Sequence, residues 1–208
     1  MFEAAADLRA GQSSLPMSAD PASERLPRVA KLATPRGRSE AKLIREAQRG
    51  STDAVEELFR RHWRRAHRAA YLVVGDATAA EDIAQEAFVA AVRALDRFDR
   101  RRPFGPWLHR ITVNRAIDFA RARRLRAEQA LAEVHDVEGP ARDAISDELM
   151  SALAELDPEH RAVVVLRYVL EYTPGEIARM LELPRGTVNS RLRRGLDRLR
   201  PAIEEAST

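Results

Sequence analysis

The apolar positions of this chain recur at intervals of three and four residues over most of its length, which is the spacing of amphipathic α-helices. From Glu40 onward these stripes are nearly continuous, and they are interrupted at Gly50, at Gly75 and across residues 96–105. Strict alternation of apolar and polar residues, the pattern of a half-buried strand, occurs nowhere in the sequence. The pattern therefore predicts an all-α protein.

Capping and breaking residues divide the helical region into segments. We predict a first helix over residues 40–49 and a second that is opened by Asp53 and Glu56. The spacing of Thr78 and Glu81 is that of a capping box, so we predict that this pair begins the third helix. The later helices are predicted to start at Pro106, near Ser146, behind Asp157, at Pro174 and just after Pro184.

The most informative stretch covers residues 173–194. Thr173 and Glu176 have capping-box spacing, and an apolar stripe restarts after the break at Pro184. These features predict a helix-turn-helix whose second helix presents donors to bases and phosphates. The alternative is a helical hairpin with a solvated basic face. The polar positions of the second helix are Thr187, Asn189, Ser190, Arg191, Arg193, Arg194 and Arg198.

Charge is distributed unevenly along the chain, although the formal net charge is only +3. Residues 93–126 hold eleven arginines against three aspartates, a balance of +8, and residues 185–200 hold six arginines against one aspartate, a balance of +5. Between them, residues 127–149 hold seven acids against one arginine, a balance of −6. Two basic blocks separated by an acidic segment indicate two modules that bind polyanions.

The third predicted helix has a polar face distinct from its apolar stripe. Asp82, Gln85, Glu86 and Val89 follow one another at helical spacing on this face. The face is interpreted either as a docking surface for a basic partner helix or as an ordinary solvated acidic surface.

Aromatic residues and arginines alternate in the segment that follows this helix. The residues concerned are Phe98, Arg100, Arg101, Arg102, Phe104 and Trp107. Arginines attract phosphates and aromatic faces accept unstacked bases, so the segment suits single-stranded DNA or a flipped base. Alternatively, the aromatic rings belong to the core and the arginines are solvated. The next helix adds side chains that suit base edges and phosphates, namely Arg110, Asn114, Arg121, Arg123 and Arg124.

Enzymatic chemistry finds little support in the sequence. His62 and His67 are five residues apart and fall on different helical faces, so they do not form a zinc-binding pair. Cysteine is absent, and we find neither a glycine-rich phosphate loop nor a nucleophile elbow. We expect no catalysis, no cofactor and no metal. Because no apolar run approaches spanning length, we also expect a cytoplasmic protein without membrane insertion.

Three motifs together resemble bacterial RNA polymerase sigma factors of the extracytoplasmic-function (ECF) type. They are AEDIAQEAF at 80–88, PWLHRITVN at 106–114 and RGTVNSRL at 185–192. The resemblance covers about residues 40–203 and implies two small helical domains joined by a flexible acidic linker. We expect the chain to divide into a disordered N-terminal extension over 1–38, sigma region 2 over 39–126, the linker over 127–145 and sigma region 4 over 146–208.

The resemblance also implies partners and residue roles. Asp82, Gln85, Glu86 and Phe88 would bind core RNA polymerase, on the β′ coiled coil and near the β subunit. The residues named above from Phe98 to Arg124 would recognise and melt the minus-ten element, and those from Thr187 to Arg198 would read the minus-thirty-five element. The resemblance also implies an anti-sigma protein as a regulatory partner. The competing hypotheses are a dimeric helix-turn-helix regulator without polymerase docking and a helical nucleic-acid enzyme.

Overall fold

The computed structural model describes residues 38–130 and 147–205, and within these ranges every regular element is helical. The all-α prediction is therefore confirmed. The eight α-helices of these two ranges are α1 (Glu40–Ala47), α2 (Thr52–Val74), α3 (Ala77–Arg93), α4 (Phe104–Ala130), α5 (Asp147–Ala154), α6 (Pro158–Val164), α7 (Pro174–Leu181) and α8 (Arg185–Glu205). A 3-10 turn (Leu95–Arg97) follows α3, and a π-helical segment (Val165–Val169) extends α6. The expectations for the N-terminal extension and for most of the linker fall on residues outside the described ranges.

The start of α3 differs from the sequence prediction. Its N-cap is Asp76, whose carboxylate accepts a hydrogen bond from the Ala79 N–H at 2.9 Å. Thr78 and Glu81 lie inside the helix instead of opening it, so the prediction of a capping box there is wrong. Asp76 directly follows Gly75, which ends α2 in the left-handed conformation at φ +70°, and it is the first side chain able to reach the free N–H groups.

The start of α2 is also set by a different residue from the predicted one. The Ser51 hydroxyl caps this helix by accepting from the Ala54 N–H, and Asp53 lies within the first turn. An acidic residue in the first turn still interacts favourably with the positive end of the helix dipole. The helix itself, and its end at Gly75, match the prediction.

Helix α4 is longer than the sequence pattern predicts at both ends. It begins at Phe104, two residues before Pro106, and it continues to Ala130. The basic stretch 121–126 is therefore helical, and the first residues of the predicted linker belong to the same helix. At its start, a carboxylate oxygen of Glu40 accepts the Phe104 N–H at 2.8 Å and replaces a local cap.

The helix-turn-helix is confirmed in detail. Thr173 and Glu176 form a complete capping box in front of α7, with Pro174 at the first helical position. Val188, Leu192 and Leu199 of α8 are buried as the apolar stripe predicts. The stripe also contains Gly195. A Cβ atom there would lie 2.8 Å from Cγ2 of Val164, so the absence of a side chain allows α8 to cross α6 closely.

The helices α1–α4, here called the first half, pack against α5–α8, called the second half. One apolar cluster lies within the first half and includes Leu43, Leu58, Phe88 and Phe104. A larger cluster is shared by both halves. It joins Leu72, Val73 and Val113 to Leu156, Val163, Leu166 and Ile177. Because this core is continuous, the two halves form one compact body. The expectation of two small domains on a flexible linker did not include this packing of one half against the other.

Two polar contacts reinforce the seam between the halves. Arg161 of α6 is buried, and its guanidinium donates to the carbonyl of Val73 at 2.8 Å and to those of Ala154 and Leu156 at 2.7 and 3.1 Å. Burial lowers the pKa of Arg161 to about 10, which leaves it charged at neutral pH. His109 of α4 is hydrogen-bonded through Nδ1 to the Tyr172 hydroxyl at 2.7 Å. Both contacts join residues that are distant in sequence.

Candidate functional site

The predicted docking face lies on α3 and is largely open. Asp82, Gln85 and Glu86 are exposed on one side of the helix. Glu86 forms an ion pair with Arg115 of α4 at 2.8 Å. Val89, 48% exposed, continues the face toward the end of the helix. The structure therefore brings the three polar residues of the prediction onto one surface.

An apolar groove of about 910 Å³ runs beside this face, between α2 and α3. Its walls include Val55, Phe59, Val89 and Val92. Phe88 also lines the groove, but its side chain is buried and its ring lies 4.9 Å from that of Phe59, centroid to centroid. Phe88 therefore forms the floor beneath the docking face. An apolar centre with a polar rim is the usual make-up of a protein-binding surface.

The loop between α3 and α4 exposes its arginines. Asp99 shapes the turn, because its carbonyl accepts the Arg102 N–H at 2.9 Å and its carboxylate accepts the Arg101 N–H at 3.0 Å. Arg100, Arg101 and Arg102 all face solvent, and the Arg101 side chain is 94% exposed. The loop is a compact, strongly basic projection, here called the arginine loop (residues 98–104).

Two aromatic residues of the arginine loop point inward. Phe98 is 7% exposed and Phe104 only 1%, and their ring centroids lie 5.9 Å apart. Trp107, which is half-buried, packs on Phe98 at 4.5 Å. The predicted base contacts of Phe98 and Phe104 do not fit these positions, because both rings are used in the core. This arrangement matches the alternative that the sequence left open for the aromatic residues, whereas the three arginines of the loop are exposed.

Three arginines of α4 pair with acids of the second half. Arg110 pairs with Glu182, Arg121 with Glu159 and Arg124 with Asp157. Hydrogen bonding from the Arg124 guanidinium, with the nearby positive charges, lowers the pKa of Asp157. Two further members of the predicted surface are Arg123, which lies 3.6 Å from the Asp76 carboxylate, and Asn114, which is half-buried.

Helix α8 presents its predicted reading face to solvent. Asn189, Arg193, Arg194 and Arg198 are exposed, while Thr187, Ser190 and Arg191 are half-buried. Arg198 lies 3.8 Å from the Asp157 carboxylate. Within the part of the chain that the structure describes, Arg193 and Arg194 form no ion pair. The face is therefore available for contacts with base edges and phosphates.

Sequence reasoning missed two residues near the arginine loop. Glu40, the first residue of α1, and Gln48, which directly follows its last residue, form hydrogen bonds to the two ends of this loop. Their partners lie 47 to 64 positions further along the chain, so no local pattern indicates these contacts.

Sequence comparison assigns both halves to one class of transcription protein. Sigma-70 region 2 matches residues 58–126 and sigma-70 region 4 matches residues 152–201. The chain is 33% identical over 182 residues to the ECF RNA polymerase sigma factor SigW of Bacillus subtilis (strain 168), covering 79% of this chain and 96% of that protein. It is 35% identical over 163 residues to the ECF sigma factor SigM of Mycobacterium tuberculosis (strain H37Rv), covering 78% and 83%.

Solved structures agree with this assignment. The structure of CnrH in complex with the cytosolic domain of CnrY matches with a TM-score of 0.58 and 31% identity, over 81% of this chain and 99% of that chain. The sigma factor RpoE of Bartonella quintana, solved with the anti-sigma factor NepR, has a similar fold, with a TM-score of 0.60 and 20% identity over 72% and 96%. The protein belongs to the ECF sigma factors. None of the helices in the described ranges is long and apolar enough to cross a membrane.

Proposed function

We propose that this protein is a promoter-specificity subunit that binds core RNA polymerase and directs it to recognise and melt promoter DNA. The observation that carries the proposal is the match of one all-α chain to sigma-70 region 2 and, further along, to sigma-70 region 4. An exposed face on α3, a basic loop and a helix-turn-helix support it. Its action is binding, and no step of it requires a reaction on a protein side chain.

The polymerase would dock on α3 and the adjoining groove. Apolar anchors such as Phe59 and Val89 offer the desolvated centre that dominates binding energy, and the acidic rim attracts a basic partner helix. This chemistry suits a coiled coil such as that of the β′ subunit, with the β subunit contacting neighbouring surfaces. Asp82, Gln85 and Glu86 would then set the register of the docked helix.

Promoter opening would use the arginine loop and α4. Extruding a base from the stack costs a few kcal/mol, which contacts to the displaced base and its phosphates offset. Arg110, Arg121 and Arg124 are paired with carboxylates, so DNA binding exchanges these carboxylates for phosphates. The exchange requires the two halves to separate. The polymerase favours the separated state by holding both DNA-binding surfaces on one platform at high effective concentration.

Upstream recognition would use α8 in the major groove of the minus-thirty-five element. We further propose that an anti-sigma protein regulates this factor, because the relatives CnrH and RpoE were solved with bound partner proteins. The proposed function places the protein in the cytoplasm, associated with the nucleoid when active.

Reconstitution with core polymerase tests the proposal most directly. Purified protein is mixed with core enzyme and genomic DNA, and the 5′ ends of the transcripts are mapped. We expect starts that depend on the added protein and that share sequence elements upstream. If no RNA synthesis depends on the protein, or if the protein alone footprints a palindrome as a dimer, the proposal is wrong.

The docking face has a separate test. The double substitution Gln85→Ala with Glu86→Ala is expected to weaken capture of core polymerase, because both side chains lie on the exposed rim of α3. Glu155→Ala, an exposed acid of the second half, is the matched control. Circular dichroism should show equal melting temperatures for the two proteins. Undiminished capture by the double variant would exclude the face as the docking site.

A further inference from the structure

Helix α1 and its C-cap residue Gln48 lie outside the segment that matches sigma-70 region 2, yet together they contact both ends of the arginine loop. We infer that Glu40 and Gln48 are positioning residues that hold this loop in the geometry needed to capture a promoter base. The inference rests on the proposed function, because it assigns a role within promoter melting.

Gln48 holds the end of the loop that follows α3. Its side-chain amide donates to the carbonyl of Leu95 at 2.9 Å and to that of Phe98 at 3.1 Å. An amide NH₂ group has two hydrogens, so a single side chain satisfies both carbonyls. These carbonyls bracket the 3-10 turn that leads into the loop. The amide therefore fixes the direction in which the chain leaves α3.

Glu40 holds the other end of the loop, at the start of α4. One carboxylate oxygen accepts the Phe104 N–H at 2.8 Å, and the other lies 3.1 Å from Nε2 of His62. The hydrogen bond from His62 and that from Phe104 lower the pKa of Glu40 against the opposing effect of burial. An anion at the first N–H groups of a helix is also favoured by the helix dipole. The carboxylate thus caps α4 from a distant part of the chain.

The helix that supplies both contacts is itself well anchored. Leu43 and Ile44 of α1 are fully buried in the core of the first half. The Ser39 hydroxyl caps α1 at its start. Contacts made from such a helix fix the loop ends relative to the core, whereas contacts from another loop would move with it.

Fixing both ends of the loop matters because the hydrogen bonds of its middle, from the Arg101 and Arg102 N–H groups to Asp99, lie within the loop itself and do not attach it to the core. Ordering the residues of a free chain costs conformational entropy. A loop that is ordered before it meets DNA does not incur this cost during base capture. Arg100, Arg101 and Arg102 therefore project from a preset frame, and loss of either end contact should slow capture without removing the arginines.

The decisive variant is Gln48→Glu, which keeps the size of the side chain but replaces its donors with acceptors. Two carbonyl oxygens then face a carboxylate, and the loop end is released. Gln48→Met removes the donors without adding charge. At the other end, Glu40→Ala removes the cap, and Glu40→Gln restores one acceptor oxygen for the Phe104 N–H. Ala41→Gln, a neutral change at an exposed position of α1, is the matched control.

Each variant is reconstituted with core polymerase and given two probes. The first is a duplex promoter fragment from the transcript mapping, labelled with 2-aminopurine in the minus-ten element. The second is the same fragment with a preformed bubble, in which no base has to be unstacked. We expect Gln48→Glu to slow opening of the duplex about tenfold, the scale of one lost partly buried hydrogen bond. On the bubble we expect a change of less than about threefold, with unchanged affinity for core polymerase.

The remaining outcomes separate the inference from the proposed function. Recovery of opening by Glu40→Gln relative to Glu40→Ala would support it. Wild-type opening rates for both Gln48→Glu and Gln48→Met would overturn the inference. Equal losses of rate on the duplex and on the bubble would also overturn it, because they indicate a purely structural role for Gln48. If Gln48→Glu lowers the melting temperature, its slow opening could come from partial unfolding. The opening rates of Gln48→Met on the duplex and on the bubble then decide whether the inference holds. If the wild-type holoenzyme opens no template, the proposed function itself fails.

Discussion

Three arginines of α4 and two of α8 are in different states, although both helices are proposed to bind DNA. Arg110, Arg121 and Arg124 of α4 are paired with carboxylates of the second half. Arg193 and Arg194 of α8 are exposed and, among the residues that the structure describes, have no acidic partner. The surface proposed to read duplex DNA is therefore ready in this compact form, whereas the surface proposed to melt DNA must first be released.

Packing, more than charge, holds the melting surface closed. Exposed ion pairs contribute about 0.2–1 kcal/mol each, so the three pairs alone are a weak restraint. The shared apolar core and the buried Arg161 provide the stronger one. Because a phosphate can replace a carboxylate at an arginine with little net loss, the pairs favour exchange once the core contact opens. The following changes act on this difference between the two helices.

Removing the buried guanidinium should have the largest effect. Arg161→Met leaves the carbonyls of Val73, Ala154 and Leu156 without their donor, and we expect the free energy of unfolding to fall by about 3 kcal/mol. Urea denaturation measures this change. Arg179→Met, an exposed arginine on α7, is the control and should change stability little. Equal stabilities for the two variants would mean that Arg161 does not hold the seam.

For the exposed arginines of α8, we expect Arg194→Ala to weaken binding of the holoenzyme to the upstream duplex. If Arg194 makes a bidentate contact with a base, the loss is about 2 kcal/mol. The measurement is a binding titration at fixed salt with the upstream fragment of a mapped promoter. Arg200→Ala, whose arginine already lies 3.8 Å from the Asp197 carboxylate, should have a smaller effect. Identical affinities for both variants and wild type would argue against α8 as the reading helix.

Acid should loosen the closed seam through His109. This residue is 2% exposed, and burial lowers its pKa from 6.5 to about 3. Between these two values the unfolded chain binds more protons than the folded one, so stability is complete above 6.5 and falls as the pH drops. From about pH 7.5 to about pH 5.5 we expect a loss of about 1.4 kcal/mol in the free energy of unfolding.

Denaturant titrations at the two pH values test this expectation, with His109→Gln as the comparison. The variant cannot titrate at this position and should show a smaller dependence on pH. A wild-type stability that is constant over the interval would show that His109 titrates normally in the folded protein.

The smallest expected effect comes from removing acids at the seam. The double substitution Asp157→Asn with Glu159→Gln removes the two carboxylate charges that pair with Arg124 and Arg121. We expect the free protein to bind single-stranded DNA more tightly by about 1 kcal/mol at low salt, and the gain should shrink as salt rises. Fluorescence anisotropy with a labelled oligonucleotide measures it. Glu155→Gln is the control, and an equal gain in that protein would point to net charge alone.

Local signals predicted the second half well. The capping box at Thr173 and Glu176, the break near Pro184 and the stripe through Val188 and Leu192 all depend on neighbours within a few residues. Short-range spacing specifies such features. The same reasoning failed at Thr78 and Glu81, because Asp76 offered a competing cap two residues earlier and a spacing rule does not rank the two.

Contacts between distant residues could not be predicted. The pattern shows that Phe98 and Phe104 are aromatic, but whether their rings face DNA or the core depends on how α1, α2 and α3 converge. The pairing of α4 arginines with acids of the second half joins positions 33 to 72 residues apart. Charge blocks in the sequence indicated two basic modules, and the same blocks gave no sign that three arginines of the first module pair with acids of the second half.

The close packing of α8 on α6 at Gly195 affects how α8 would bind DNA in its proposed role. The helix approaches α6 so closely that even one added methyl group would overlap Val164. A larger residue at this position would tilt α8 away from α6. The exposed side of α8 would then shift relative to bound DNA. Gly195 is buried and cannot contact DNA itself. It would nevertheless influence which bases the exposed residues of α8 contact, because it sets the position of the helix.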